Sequence, residues 1–148
     1  MKLSTKGRYG VKAMVDLAIH NSEGQIALKN IAERQEISEN YLEQLFAILR
    51  KAGLVKSTRG AQGGYILADK PENISVGTIL RALEGSLAPV DCVSEDPVKC
   101  GRSQICVTKF IWEKIRDSVN DVVDSITLKD LVEDYLKAIK REEYDYNI

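Results

Sequence analysis

The 148-residue chain predicts a mainly α-helical fold with one small β-hairpin. Three observations lead there. Apolar residues recur at steps of three and four through most of the chain, which is the helical period. One stretch, 54–67, reads instead as two short strands broken by glycines. No Pro-, Gly- or Ser-rich linker and no repeat of 20 to 50 residues interrupts the series. With 44% hydrophobic and 29% charged residues, 3 Pro and 10 Gly, the composition is that of a globular protein and excludes disordered and collagen-like classes. No run approaches the ~18 apolar residues of a membrane span, and Met1-Lys2-Leu3-Ser4-Thr5-Lys6 lacks the apolar stretch of a signal peptide. A cytoplasmic chain with no membrane partner is therefore expected.

The first helix runs from Leu3 to about His20, with Gly10, Ala13, Met14, Leu17 and Ala18 on one face, and Asn21-Ser22-Glu23-Gly24 ends it. A short helix follows over 28–35, with Leu28, Ile31 and Ala32 aligned. Glu36-Ile37-Ser38 breaks it, and Ser38 is a good N-cap for a third helix from Glu39 to Lys51. There Leu42, Leu45, Phe46 and Leu49 form the apolar stripe and Gly53 supplies the stop. Residues 54–58 and 65–67 are the hairpin strands, joined by Arg59-Gly60-Ala61-Gln62-Gly63-Gly64. Ser75 caps a fourth helix carrying Val76, Ile79, Leu80 and Leu83, which Gly85 ends. Residues 86 to about 102 have no helical period. Val107, Ile111, Ile115, Val119, Val122 and Ile126 then give a long amphipathic helix over 103–126, and Thr127 with Asp130 forms a capping-box start for the last helix.

Helix, short helix, tight turn, helix and hairpin, in that order, make a winged helix-turn-helix. The expected organisation is a winged helix-turn-helix domain over 1–85, a cysteine-containing loop over 86–106, a long dimerisation helix over 103–126, and a C-terminal helix and tail over 127–148. A helix as long as 103–126 overhangs so small a core, which favours pairing with a second copy.

Charge agrees with a DNA-binding front half. The formal net charge is −1, but residues 1–70 carry +4 and residues 71–148 carry −5. The free face of the third helix offers Asn40, Tyr41, Glu43 and Gln44 near its N-terminus, where helix-turn-helix proteins meet base edges. Arg50 and Lys51 can reach phosphates, as can Lys6 and Arg8 on the first helix together with Lys2 and Lys12. Gly60, Gly63 and Gly64 let the wing approach a duplex closely, and Arg59 suits a narrow minor groove. Each residue alone would pass for a solvated surface; their order along one motif favours double-stranded DNA as partner.

All three cysteines, Cys92, Cys100 and Cys106, fall within fifteen residues in the spacing C-x7-C-x5-C. An odd count in a reducing compartment argues for metal or redox chemistry over a structural disulfide. Soft thiolates suit an iron-sulfur cluster or zinc, and the spacing matches neither ferredoxin nor zinc-finger patterns, so cluster, zinc and metal-free thiols stand level on chemistry alone. An enzyme is not expected: there is no nucleophile–base pair, no C-x-x-C and a single histidine.

Ser4-Thr5-Lys6-Gly7-Arg8-Tyr9, Ile31-Ala32-Glu33-Arg34-Gln35, Tyr41-Leu42-Glu43-Gln44-Leu45-Phe46, Leu49-Arg50-Lys51-Ala52-Gly53-Leu54-Val55 and Arg59-Gly60-Ala61-Gln62-Gly63-Gly64-Tyr65 resemble the IscR-like family of bacterial iron-sulfur cluster regulators. The likeness spans roughly residues 1–133, including Ile126-Thr127-Leu128 and the cysteine loop. It implies a homodimeric winged-helix transcription factor that binds palindromic promoter sites and controls iron-sulfur cluster biogenesis genes. It also implies a 2Fe-2S cluster held by Cys92, Cys100 and Cys106, with a histidine three residues after the last cysteine as fourth ligand. Here that position is Lys109, whose ammonium cannot ligate iron. Asp91, Glu95, Asp96 and Ser103, an exogenous thiol or water, and the partner subunit's His20 are the alternative fourth donors. Relatives with a 4Fe-4S cluster use a first-helix carboxylate where this chain has Arg8. The competing reading is a cluster-free winged-helix repressor of cysteine or sulfur metabolism, governed by thiol oxidation, zinc or a protein partner.

Overall fold

The structure, a computed structural model, describes residues 2–60, 63–95, 101 and 104–147. Its elements are α1 (Thr5–Ile19), α2 (Leu28–Gln35), α3 (Glu39–Lys51), β1 (Val55–Thr58), β2 (Gly64–Leu67), α4 (Val76–Glu84), α5 (Lys109–Ser125) and α6 (Leu128–Tyr146), with short 3-10 turns at Asn21–Glu23, Pro71–Asn73 and Asp91–Val93. The strands pair antiparallel, Val55 opposite Leu67 and Thr58 opposite Gly64. This is the mainly helical fold with one hairpin that the periodicity predicts.

α1 runs through the centre and packs against α2, α3, α4 and α6. Met14, Leu17, Ile31, Leu42, Phe46, Leu49 and Ile79 are fully buried around it. Gly10 lets α4 come close, because a Cβ there would overlap the Leu83 side chain. The core does not end at residue 85. Leu128, at the start of α6, is fully buried in the same cluster, and Val132 packs on it. Backbone pairing holds that junction: Val76 N donates to Ile126 O at 2.8 Å and Leu128 N to Ile74 O at 2.9 Å. The expected Thr127–Asp130 capping box is present, with bonds of 3.0 and 3.2 Å.

α5 departs from expectation at its N-terminus. It starts at Lys109, not Ser103, and Gln104 to Thr108 form turns and irregular backbone. Val107 stands at helical spacing in sequence but, like Ile105 two residues before it, is exposed, so no burial stabilises the extra turn. α6 in turn continues to Tyr146, through a tail for which no element was expected. Among the described residues no helix is long and apolar enough to cross a membrane.

Candidate nucleic-acid interface and cysteine loop

The turn between α2 and α3 is closed by Ile37 N donating to Ala32 O at 3.1 Å, with Glu36 in the left-handed region at φ 55°. Ile37 is buried beneath it. Ser38 Oγ then accepts from Tyr41 N at 3.1 Å, the N-cap that starts α3. Burial of Leu42, Leu45, Phe46 and Leu49 turns the opposite face outward, so Asn40, Glu43, Gln44, Arg50 and Lys51 are all exposed on it. Tyr41 differs from that group. It is half-buried, packs edge-on to Tyr9 with ring centroids 6.1 Å apart, and places its hydroxyl 3.5 Å from Thr5 Oγ1. Its body joins α1 to α3.

The wing stands beside this face. Arg50 Nη1 lies 3.5 Å from Ser57 Oγ on β1, linking the end of α3 to the hairpin. Thr58 Oγ1 donates to Gly64 O at 3.0 Å and accepts from Gly64 N at 3.1 Å, closing the base of the tip. Arg59 is exposed, and Gly60 has φ 138° with open space around it. Gly64 has another reason to be glycine. A Cβ there would lie 2.6 Å from Ile26 O, because Tyr65 and Ile26 exchange backbone hydrogen bonds of 2.8 and 2.9 Å. Its small size serves close packing within the chain. Ala61 and Gln62 lie outside the described residues.

Lys6 and Arg8 are exposed near the N-terminus of α1. Lys12 Nζ and the Arg8 guanidinium lie 5.7 and 6.0 Å from the Tyr9 ring centroid, gathering positive charge on one side. The sequence reading missed what holds this terminus. Glu84, the last residue of α4, accepts from Gly7 N at 2.9 Å, from Ser4 N at 3.2 Å and from the Ser4 hydroxyl. A carboxylate at a helix N-terminus is favoured by the exposed N–H groups and the dipole. No local signal in sequence links residues 77 to 80 positions apart.

In the cysteine loop, Cys92 sits in the 3-10 turn Asp91–Val93 and Cys106 three residues before α5; both are half-buried free thiols. Cys100 lies outside the described residues. The Thr108 hydroxyl, 3.2 Å from Cys106 Sγ, holds the Cys106 thiol below its ordinary range, helped by neighbouring backbone N–H groups and by Lys109. That favours the thiolate, the form that binds metal or attacks an oxidant. Lys109, at the expected fourth-ligand position, has its ammonium 3.9 Å from Glu113 Oε1. His20 places Nδ1 against Glu23 at the far end of α1. The Ser86 hydroxyl keeps the Glu95 carboxyl below its usual range, with Arg81 and Arg116 contributing, so it persists as an oxygen donor. Asp96 and Ser103 lie outside the described residues. Among the described residues, which exclude Cys100, no three His, Cys, Asp or Glu side chains come together as a metal site; the thiols of Cys92 and Cys106 suit a soft metal or an iron-sulfur cluster by their chemistry, and the histidine of the family pattern is replaced by Lys109.

Residues 3–134 match the family model Rrf2, described as an iron-dependent transcriptional regulator. The chain belongs to the Rrf2 family. Among Rrf2-like relatives, the HTH-type transcriptional regulator CymR of Bacillus subtilis is 49% identical over 132 residues, covering 88% of this chain and 89% of CymR. The solved structure of that protein, described as the global cysteine regulator, superposes with a TM-score of 0.73 over 90% of this chain and 97% of its own. The structure of T. potens IscR gives a TM-score of 0.77 at 56% identity, over 93% of this chain and 90% of that one. The IscR of Pectobacterium atrosepticum is 41% identical over 147 residues, 98% of this chain and 88% of the relative. The resemblance read from sequence therefore widens from IscR to Rrf2 as a whole. These relatives are named as regulators of transcription, not enzymes, and the winged-helix architecture is common to both branches.

Proposed function

We propose that this Rrf2-family regulator acts as a homodimer on palindromic promoter DNA and senses an iron-sulfur cluster of the 2Fe-2S type through Cys92, Cys100 and Cys106, controlling cluster-biogenesis genes. The observation that carries the reading is the cysteine loop: two half-buried free thiols, Cys106 biased toward thiolate, in a chain 56% identical to T. potens IscR. When bound, the cluster supplies a group whose presence reports iron and sulfur availability. The chain's own residues do the rest. Asn40, Glu43 and Gln44 face base edges, Lys6, Arg8, Arg50 and Lys51 face phosphates, and Arg59 reaches the minor groove. Phe110, Ile111 and Val122 leave an apolar face on α5 for the second copy.

Lys109 in place of the family's histidine, together with 49% identity to CymR, favours a second reading. There the chain is a cluster-free repressor of cysteine metabolism governed by thiol oxidation, zinc or a partner protein. Operator affinity separates the two. The cluster-loaded and apo forms are expected to differ by roughly 1–3 kcal/mol, the usual size of an allosteric coupling, and the Cys92→Ala, Cys100→Ala, Cys106→Ala triple variant should match the apo form. Arg59→Ala, Glu43→Ala and Gln44→Ala should each cost roughly 1–3 kcal/mol on the specific site. Equal affinity for loaded, apo and triple-alanine protein would contradict cluster sensing and leave the DNA contacts to be judged by the other three variants.

A further inference from the structure

Both described ends of the cysteine loop are fastened to the same helix by different means. Cys106 is joined to α5 through the chain, with Lys109 N donating to Cys106 O at 3.3 Å in the helix's first turn. Cys92 is fastened through space. Its 3-10 turn buries Val93 against the body, to 3% exposure, and Arg116 Nη1, two turns along α5, donates to Val93 O at 3.2 Å. Arg116 is itself steadied by Asp117, which accepts from Nε at 2.9 Å, and lies within the electrostatic field of Glu113 and Glu95. Val93 is the residue after Cys92, so a guanidinium on its carbonyl limits where the thiol can go.

We infer that Arg116 is a positioning residue that holds Cys92 against α5 so that Cys92 and Cys106 face one thiolate-binding ligand, a role resting on the thiol site proposed above. Without it, Cys92 would have to be ordered when the ligand binds, and that ordering entropy would weaken affinity. The loop would also lose a direct hydrogen bond to the helix proposed to pair the two copies.

The test uses full-length apo protein with cadmium(II) alone as the probe, comparing wild type with Arg116→Ala and with Arg116→Lys, which keeps the charge but loses the forked donor. Thiolate-to-cadmium charge-transfer absorbance counts the sulfurs bound and reports affinity, and backbone amide exchange at Val93 and Ser94 reports the turn without any metal. The expected result is faster exchange in Arg116→Ala, cadmium affinity lower by roughly ten- to a hundredfold as for lost supporting contacts around a metal ligand, fewer sulfurs per bound metal, and an unchanged thermal midpoint. Arg116→Lys should fall between. Unchanged exchange overturns the clamp, and faster exchange with wild-type affinity and sulfur count overturns its role in placing Cys92. Failure of wild type to bind cadmium through three sulfurs overturns the thiol-site reading, and with it the ligand role of Arg116, and is seen without reference to any variant.

Discussion

Asp16 sits inside the apolar stripe of α1, 2% exposed, where Arg34 donates to both of its oxygens at 2.7–3.2 Å and Gln35 Nε2 donates at 2.9 Å. These bonds set the angle of α2 on α1, and α2 carries the turn that aims α3. The partnership raises the Arg34 pKa above its ordinary value, chiefly through its hydrogen bonds to Asp16. Removing one partner of a fully buried pair costs about 3–5 kcal/mol, but the Arg34 side chain is 37% exposed and can keep water. Asp16→Ala is therefore expected to lower the unfolding free energy by the smaller roughly 1.5–3 kcal/mol of bonds to a charged group, read from denaturant titration; a change within error would contradict the network. The carboxylate was visible in sequence, three residues after Ala13 and next to Leu17, as a charge in an apolar stripe. Its partners, 18 and 19 residues on, were not, since nothing in helical spacing says which neighbouring helix supplies a guanidinium.

α4 is one element through which the two halves of the chain meet, beside the packing of α6 on α1. Arg81 donates to both oxygens of Asp124 at 2.8 Å and to Asn120 Oδ1 at 2.8 Å on α5, while Glu84 caps α1. Hydrogen bonding to Arg81 holds the Asp124 carboxyl below its ordinary range, with the charge of Arg81 adding to it. A carboxyl depressed in the folded state stabilises it above the unfolded value of about 3.9 and loses that contribution as pH falls through the lower folded value. Urea midpoints measured against pH should thus show wild type more stable than Asp124→Asn above about pH 4, with the gap closing at lower pH; parallel curves would contradict the pairing. The boundaries of α1 to α4 were readable within a residue or two, because Ser38, Ser75, Gly53 and Gly85 punctuate them and each buries a clear stripe. The start of α5 was not. Val107 continues its period in sequence, and only packing shows that it has nothing to lie against. The packing of Gly64 against Ile26 is likewise absent from the sequence pattern.

At the scale of the whole molecule, one copy leaves Phe110, Ile111 and Val122 exposed along α5, and Tyr135 and Leu136 along α6. Pairing of α5 with a second copy would cover the first set and put two α3 helices on one duplex, as a palindromic site demands. Light scattering should find twice the chain mass for wild type and a single chain for Ile111→Glu combined with Val122→Glu; a dimeric double variant would move the interface off this face. Over the same span the winged-helix elements were largely legible, because their motifs are contiguous. The cysteine loop was legible only in its cysteines, since Thr108 on Cys106 and Arg116 on the Val93 carbonyl make contacts that sequence does not order.

The measurement that bears most directly on the sensing role is the absorption spectrum of anaerobically purified protein, with iron, acid-labile sulfide and zinc determined on the same sample. A brown protein with iron and sulfide in equal amounts, two of each per chain for a 2Fe-2S centre, and colourless once Cys92, Cys100 and Cys106 are all alanine, is the expected result. A colourless wild-type protein that takes up no cluster on reconstitution would contradict it and transfer the signal to zinc, thiol oxidation or a protein partner.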